Sequence, residues 1–135
     1  MYIIVLIVIL VVGLFGYVRL APSDPVRWHS AIEAETSRDM TGGAIRVLRT
    51  DPGALARVDA AALALPRTTV LAGSVDEGRI TYVTRTAVVG FPDYTTVEYA
   101  DGLLKMHARL RFGRSDLGVN AKRLQGLLAA AEIGG

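Results

Sequence analysis

Lys105, His107, Arg109 and Arg111 alternate with Leu104, Met106, Ala108, Leu110 and Phe112. A β-strand sends successive side chains to opposite faces, so this spacing gathers three cations and an imidazole on one face and an apolar stripe on the other. The stripe must be buried against helices. The basic row is then either a solvated face crossed by weak ion pairs, or a surface that docks an anion or an acidic partner. Arg85 joins the row if the stretch Arg79 to Val89 pairs nearby, and Glu98 could supply an opposing charge.

A second constellation follows directly. Arg111 to Asn120 form a Gly-bearing loop that runs into a helix. Free N–H groups and a partial positive charge draw anions to a helix start, yet Lys122 and Arg123 fall in the first turn, where the dipole opposes them. Two resolutions stay open. In one, Arg111 and Arg123 hold an anionic group, the loop N–H groups donate to it, and Asp116 orients the arginines. In the other, Asp116, or Asn120 as N-cap, supplies the compensation and the cluster is an internal ion-pair lock. The candidate binding residues are Arg109, Arg111, Arg114, Ser115, Asp116, Asn120 and Arg123, with Asp93, Glu98 and His107 as further members. The loop is not a Walker loop, because the glycine spacing is wrong and no GK[ST] occurs.

Signals for catalysis are sparse. With no Cys there is no disulfide, thiolate ligand or thiol nucleophile, and no serine sits in a G-x-S-x-G elbow. His29 and His107 are the two histidines, neither has a second ligand at helical spacing, and the carboxylates are unclustered. No metal and no cofactor is therefore expected. The enzymatic alternative uses Asp93, Asp116 and His107 as acid/base groups on an envelope substrate, and it requires all three within mutual reach. A binding module needs only a coherent basic surface.

The elements that must position these residues are legible in outline. Thr68–Val75, Arg79–Val89, Tyr94–Tyr99 and Leu103–Phe112 read as strands separated by short Gly-bearing connectors, hence hairpins. Asp51-Pro52 reads as a helix start, with Leu55, Val58, Ala62 and Leu65 on one face. Asn120–Ile133 reads as a helix facing inwards through Leu124, Leu127, Leu128 and Ala131. Ala44–Leu48 fits a first strand or part of a helix. The expected fold is α+β: a four-stranded antiparallel meander with helices packed on one face, preceded by a single N-terminal transmembrane helix. The segments are an anchor over 1–19, an irregular linker or arm over 20–43, and the soluble domain over 44–135.

The anchor rests on Met1 to Val18, which carry no charged side chain and have Tyr2 and Tyr17 at their ends. Eighteen helical residues reach about 27 Å, close to the hydrocarbon thickness of a bilayer. A cleaved signal peptide fits less well: no Lys or Arg precedes the run, and Arg19 and Pro22 flank the best small residue, Ala21. Trp28-His29, just behind the anchor, are expected to pack at the membrane interface. Arg19 and Arg27 after the helix favour a cytoplasmic domain under the positive-inside rule. The formal charge of +2 conceals six Arg against eight acids in 20–78, and eight Lys or Arg against five acids in 79–135. That excess is too small and mixed for a nucleic-acid footprint. The expected partners are membrane lipid, including anionic headgroups, or another membrane protein.

Three stretches carry a resemblance. Phe91-Pro92-Asp93-Tyr94 with Glu98 is similar to the F-x-D-[DY]-x-x-x-E segment of the bacterial and plastid family called domain of unknown function 1499. Arg109 to Arg123 resembles its R-x-R-x-G-x-S-D-x-G-V-N-x-x-R signature, and Asp24 to His29 its D-P-x-x-W-H segment. The sequence departs at Leu110, where the family often has a small or polar residue, and at Ala121, where it often has a basic one; every charged residue of the quoted signature is kept. The resemblance implies a shared fold and a shared site and names no reaction. It also implies an exported or envelope-facing domain in the cytoplasmic membrane of a bacterium, opposite to the side that the flanking charges favour.

Overall fold

The computed structural model describes residues 1–134. Helix α1 spans Tyr2–Leu20 and the short α2 spans Pro25–Trp28; strands β1 (Arg38–Met40) and β2 (Gly43–Arg49) follow. Next come α3 (Ala54–Leu63), β3 (Thr68–Ser74), β4 (Arg79–Arg85), β5 (Pro92–Ala100), β6 (Leu103–Leu110) and α4 (Val119–Ala130). The architecture is α+β, with one antiparallel sheet in the order β1-β2-β6-β5-β4-β3.

The expected meander is β3 to β6, but the sheet has six strands rather than four. The hairpin β1–β2 completes it by adding along β6, with Ala44 opposite Ala108 and Leu48 opposite Leu104. β1 is only Arg-Asp-Met, too short to show any alternation, and the apolar run in β2 fits helix and strand equally. β4 stops at Arg85 rather than Val89, because the next residues turn back on themselves. Thr86 N–H donates to the Phe91 carbonyl oxygen, and Phe91 N–H to Thr86 Oγ1.

Helices α3 and α4 cover one face. Leu55, Val58, Ala62, Leu124, Leu127, Leu128 and Ala131 meet Ala44, Ile80, Tyr82, Val97, Leu104, Met106 and Ala108 in one buried cluster. The apolar stripe of β6 therefore lies as the alternation requires up to Ala108. Leu110 is only half-buried, and Phe112 lies beyond the strand, edge-on to Tyr17 of α1 at 6.0 Å and 6.2 Å from Phe91.

The other face is covered as well. The stretch 20–43 contains α2 and β1, and the residues from Ser23 to Glu35 lie across the sheet. Trp28 is 8% exposed and stacks on Tyr94 with centroids 4.0 Å apart. It is interior to the domain, not at a membrane interface. Its position follows from sequence: Asp24 caps α2 by accepting from Val26 N–H, Pro25 begins it, and four residues later the chain must turn down onto the sheet.

Antiparallel pairing sorts every connection to one of two ends. The segments 64–67, 86–91 and 111–118 share the end where α1 joins. There Arg19 donates to the carbonyl oxygens of Val88 at 2.6 Å and Val89 at 3.2 Å. Segments 50–53, 75–78, 101–102 and 131–134 lie at the far end. α1 is long and apolar enough to cross a membrane, with mean hydropathy 2.8, a test that a signal sequence near the N-terminus also meets.

Candidate functional site

The basic row of β6 does sit opposite the apolar stripe, but the arm occupies it. Arg109 Nη1 donates to Thr96 Oγ1 and to the His107 carbonyl oxygen two residues back, each at 2.9 Å; Nη2 donates to the Trp28 carbonyl oxygen. Burial lowers the Arg109 pKa to about 10, leaving it charged at neutral pH. Beneath the arm the polar chain continues: Thr81 Oγ1 lies 2.8 Å from both Thr96 Oγ1 and His29 Nδ1. His29 fits there because position 73 has no side chain. A Cβ on Gly73 would fall 2.7 Å from His29 Cε1 and 2.0 Å from the Arg79 carbonyl oxygen.

The remaining members of the row meet the same strap. Arg111 donates to the Pro22 carbonyl oxygen at 2.9 Å and to Tyr94 Oη at 3.1 Å. Lys105 reaches the Ile32 carbonyl oxygen at 3.4 Å and Glu35 at 3.9 Å. Glu98 accepts from Ile32 N–H at 2.6 Å and pairs with Arg79 at 2.8 Å. His107 lines a cleft of about 630 Å³ with Ile32, Glu33, Glu35, Arg38 and Ile45. Burial first, then Arg109 and Arg38, lower its pKa from 6.5 to about 4, so it is neutral at physiological pH.

The helix-start constellation separates into two parts. Asp116 caps the backbone: its Oδ1 accepts from Gly118 N–H at 2.9 Å and its Oδ2 from Asn120 N–H at 3.1 Å. It does not orient the arginines. Arg123 instead turns to Asp93, 3.3 Å away, and to Asn120 Oδ1, while Asn120 Nδ2 donates to Asp93 at 3.3 Å. Asn120 is fully buried and Asp93 nearly so. Burial raises the Asp93 pKa, and Arg123 and Asn120 oppose that rise. Arg123, in the first turn of α4, is thus answered from β5, on the helix-covered face.

The seven candidate residues accordingly do not converge. Arg109 and Arg111 hold the arm on one face; Asp93, Asn120 and Arg123 lock α4 to the other; Asp116 caps; Arg114 and Ser115 are exposed. Asp93 and His107 lie on opposite faces, because Asp93 shares the parity of buried Val97 and His107 that of Arg109. The groups considered for acid/base chemistry are therefore not brought together. Among the described residues, no cluster of His, Asp or Glu is placed to hold a metal ion.

What sequence reasoning missed is a polarity along the strands. Arg19, Arg67, Arg85, Arg111 and Arg114 lie at the α1 end with Asp116 among them, whereas Asp51, Asp76, Glu77, Asp101 and Glu132 lie at the far end, offset in part by Arg49, Arg57 and Arg79. At the α1 end, Leu117 is 92% exposed and has φ 53°, a left-handed conformation that favours glycine. Val88 is also exposed there. Hairpin connectors were visible in the sequence, but their assignment to one end or the other appears only once strand directions are counted through. No curated protein matches the chain. The residues through which the resemblance was drawn are those that fasten the arm and α4, and residues 18–130 match the family model described as Protein of unknown function (DUF1499), the family to which this chain belongs.

Proposed function

We propose that this protein is a single-pass accessory module, retained by α1 in the cytoplasmic membrane of a bacterium, that binds an anionic group or a membrane-protein partner rather than transforming a substrate. The working surface in this reading is the α1 end, with Arg111, Arg114, Ser115 and Leu117 in the loop 111–118. The observation that carries it is the pairing of an arginine-rich end with an exposed leucine held in a left-handed conformation, in a loop at the end of the sheet that α1 joins. Such conformations cost a non-glycine residue about 1–2 kcal/mol, and exposed strain of this kind concentrates at binding loops. Basic side chains beside an apolar tip suit a headgroup layer, where charge attracts anionic lipid and apolar groups enter the acyl boundary.

A photo-crosslinking amino acid placed at Leu117 in the full-length protein tests this. In intact membranes it is expected to capture lipid or a membrane protein, while the same probe at Glu77 in the far-end turn captures neither. The chain is also expected to resist alkaline carbonate extraction. Release of a soluble species lacking the first twenty or so residues, or equal capture at both positions, would refute the assignment.

A further inference from the structure

Arg19, Arg67 and Arg85 line one cleft of about 490 Å³ with Thr69, Val83 and Gly90. No lining residue is acidic, and among the described residues none of the three arginines has an ion-pair partner. Their guanidinium groups are pinned instead by backbone carbonyls, which fix position without neutralising charge. Arg19 donates to Val88 and Val89, Arg67 Nε to Arg85 at 2.9 Å, and Arg85 Nη1 to Gly90 at 2.9 Å and to Val18 at 3.4 Å. Each retains unused N–H donors, since a guanidinium has five. Arg67 itself is held at φ 54°, and Arg85 N–H donates back to its carbonyl oxygen. Three fixed like charges around one cavity repel one another unless an anion sits between them.

We infer that this cleft holds the phosphodiester of a net-anionic lipid headgroup in the leaflet from which α1 emerges. The forked donors of arginine match phosphate oxygens, and several arginines around one phosphate exceed the geometry a lysine could offer. Location selects the source. Arg19 is in the last turn of α1, so the cleft lies where that helix leaves the apolar layer, and Leu20 and Val88 beside it are 83% and 76% exposed. A headgroup there brings acyl chains to those side chains, which a free phosphate ion would leave in water. This rests on the membrane-anchored reading above, and it adds a site that shares no residue with the loop 111–118.

The test uses the full-length protein in detergent micelles offered equal amounts of phosphatidylglycerol and phosphatidylcholine, with retained lipid counted by native mass spectrometry. Phosphatidylglycerol is expected to be retained at least tenfold over phosphatidylcholine. Arg67→Gln is expected to reduce that retention at least fivefold. Thr69→Glu, at an exposed position, is expected to abolish it with the melting temperature unchanged. Equal retention of the two lipids, or retention indifferent to both variants, overturns the site. Binding of inorganic phosphate without retention of phosphatidylglycerol overturns the headgroup assignment in favour of a soluble ligand. Crosslinking at Leu117 is read in the same variants: if it persists while lipid retention proves non-selective, the cleft fails and the accessory reading stands. If the chain leaves the membrane on carbonate extraction, both fall.

Discussion

Arg109 and Trp28 fasten the arm to the sheet through two contacts at once: the guanidinium donates to the Trp28 carbonyl oxygen and lies 5.5 Å from the centroid of its ring. Hydrogen bonds to a charged group contribute about 1.5–3 kcal/mol when partly buried. Arg109→Gln is therefore expected to destabilise the domain by roughly that amount. Urea unfolding followed by the emission of Trp28, the single tryptophan, reads it directly. A variant as stable as wild type would show that the arm is held by its other contacts, Trp28–Tyr94 stacking and the bonds to Glu98 and from Arg111 among them.

Gly73→Ala attacks the same closure from beneath. Its φ is 85° and the added methyl meets both the Arg79 carbonyl and His29. Stability is expected to fall by about 1–3 kcal/mol, with Trp28 emission shifted to the red even in the folded protein as the arm lifts. An unshifted spectrum in a destabilised variant would confine the damage to β3.

The lock on the opposite face makes a pH-dependent prediction. Arg123→Gln strands a buried carboxylate, costing about 1–3 kcal/mol at pH 7. Because the folded pKa of Asp93 lies above its ordinary 3.8, the folded state binds this proton more readily than the unfolded chain. This group's contribution to stability therefore improves as pH falls through the folded pKa towards 3.8. The deficit of the variant is expected to shrink over that same descent, and to be small in an Asp93→Asn background. A deficit that persists in that background would place the role of Arg123 elsewhere.

His107 has the opposite sign. Its pKa is lowered from 6.5 to about 4, so between those values the unfolded chain takes up a proton that the folded chain refuses, and stability is lost as pH falls from 6.5 towards 4. Solvent screening of this half-buried ring limits the loss to about 1 kcal/mol. His107→Gln is expected to remove that part of the acid sensitivity. Titration of the ring by NMR with a midpoint near 6.5 would contradict it.

Leu117→Asn separates fold from contact. Asparagine tolerates the left-handed conformation, so thermal stability is expected to hold or rise by about 0.5–1 kcal/mol. Attachment of the α1 end to a bilayer, read as depth-dependent quenching of a fluorophore on Ser115, is expected to weaken.

The fold was legible where one strand face differs in kind from the other, as in β6, and where helix faces repeat, as in α4. It was illegible in β1, whose three residues carry no period, and in the arm, where prolines and charges look like solvent-exposed linker. A row of cations along a strand specifies a polar face but not what covers it; here a backbone segment about eighty residues upstream does, and only Trp28 hinted at such burial. Asp116 as a local cap could be read from its spacing to the helix. Asp93 could not be paired with Asn120 and Arg123, since those contacts cross 27 and 30 residues and depend on which helix lies over which strand.

The strap that seals the sheet is also the only chain joining α1 to it, with four residues between the end of the helix and the start of α2. A domain so fastened is a post rather than a tethered ball. β5, the longest strand, has nine residues. At roughly 3.3 Å per residue it separates the α1 end from the acidic far turns by about 30 Å, which is the stand-off from a bilayer under the membrane-anchored proposal. For a chain anchored through α1, anything meeting Asp76, Glu77 or Asp101 must reach down to that height, and diffusion in the plane replaces tumbling as the search.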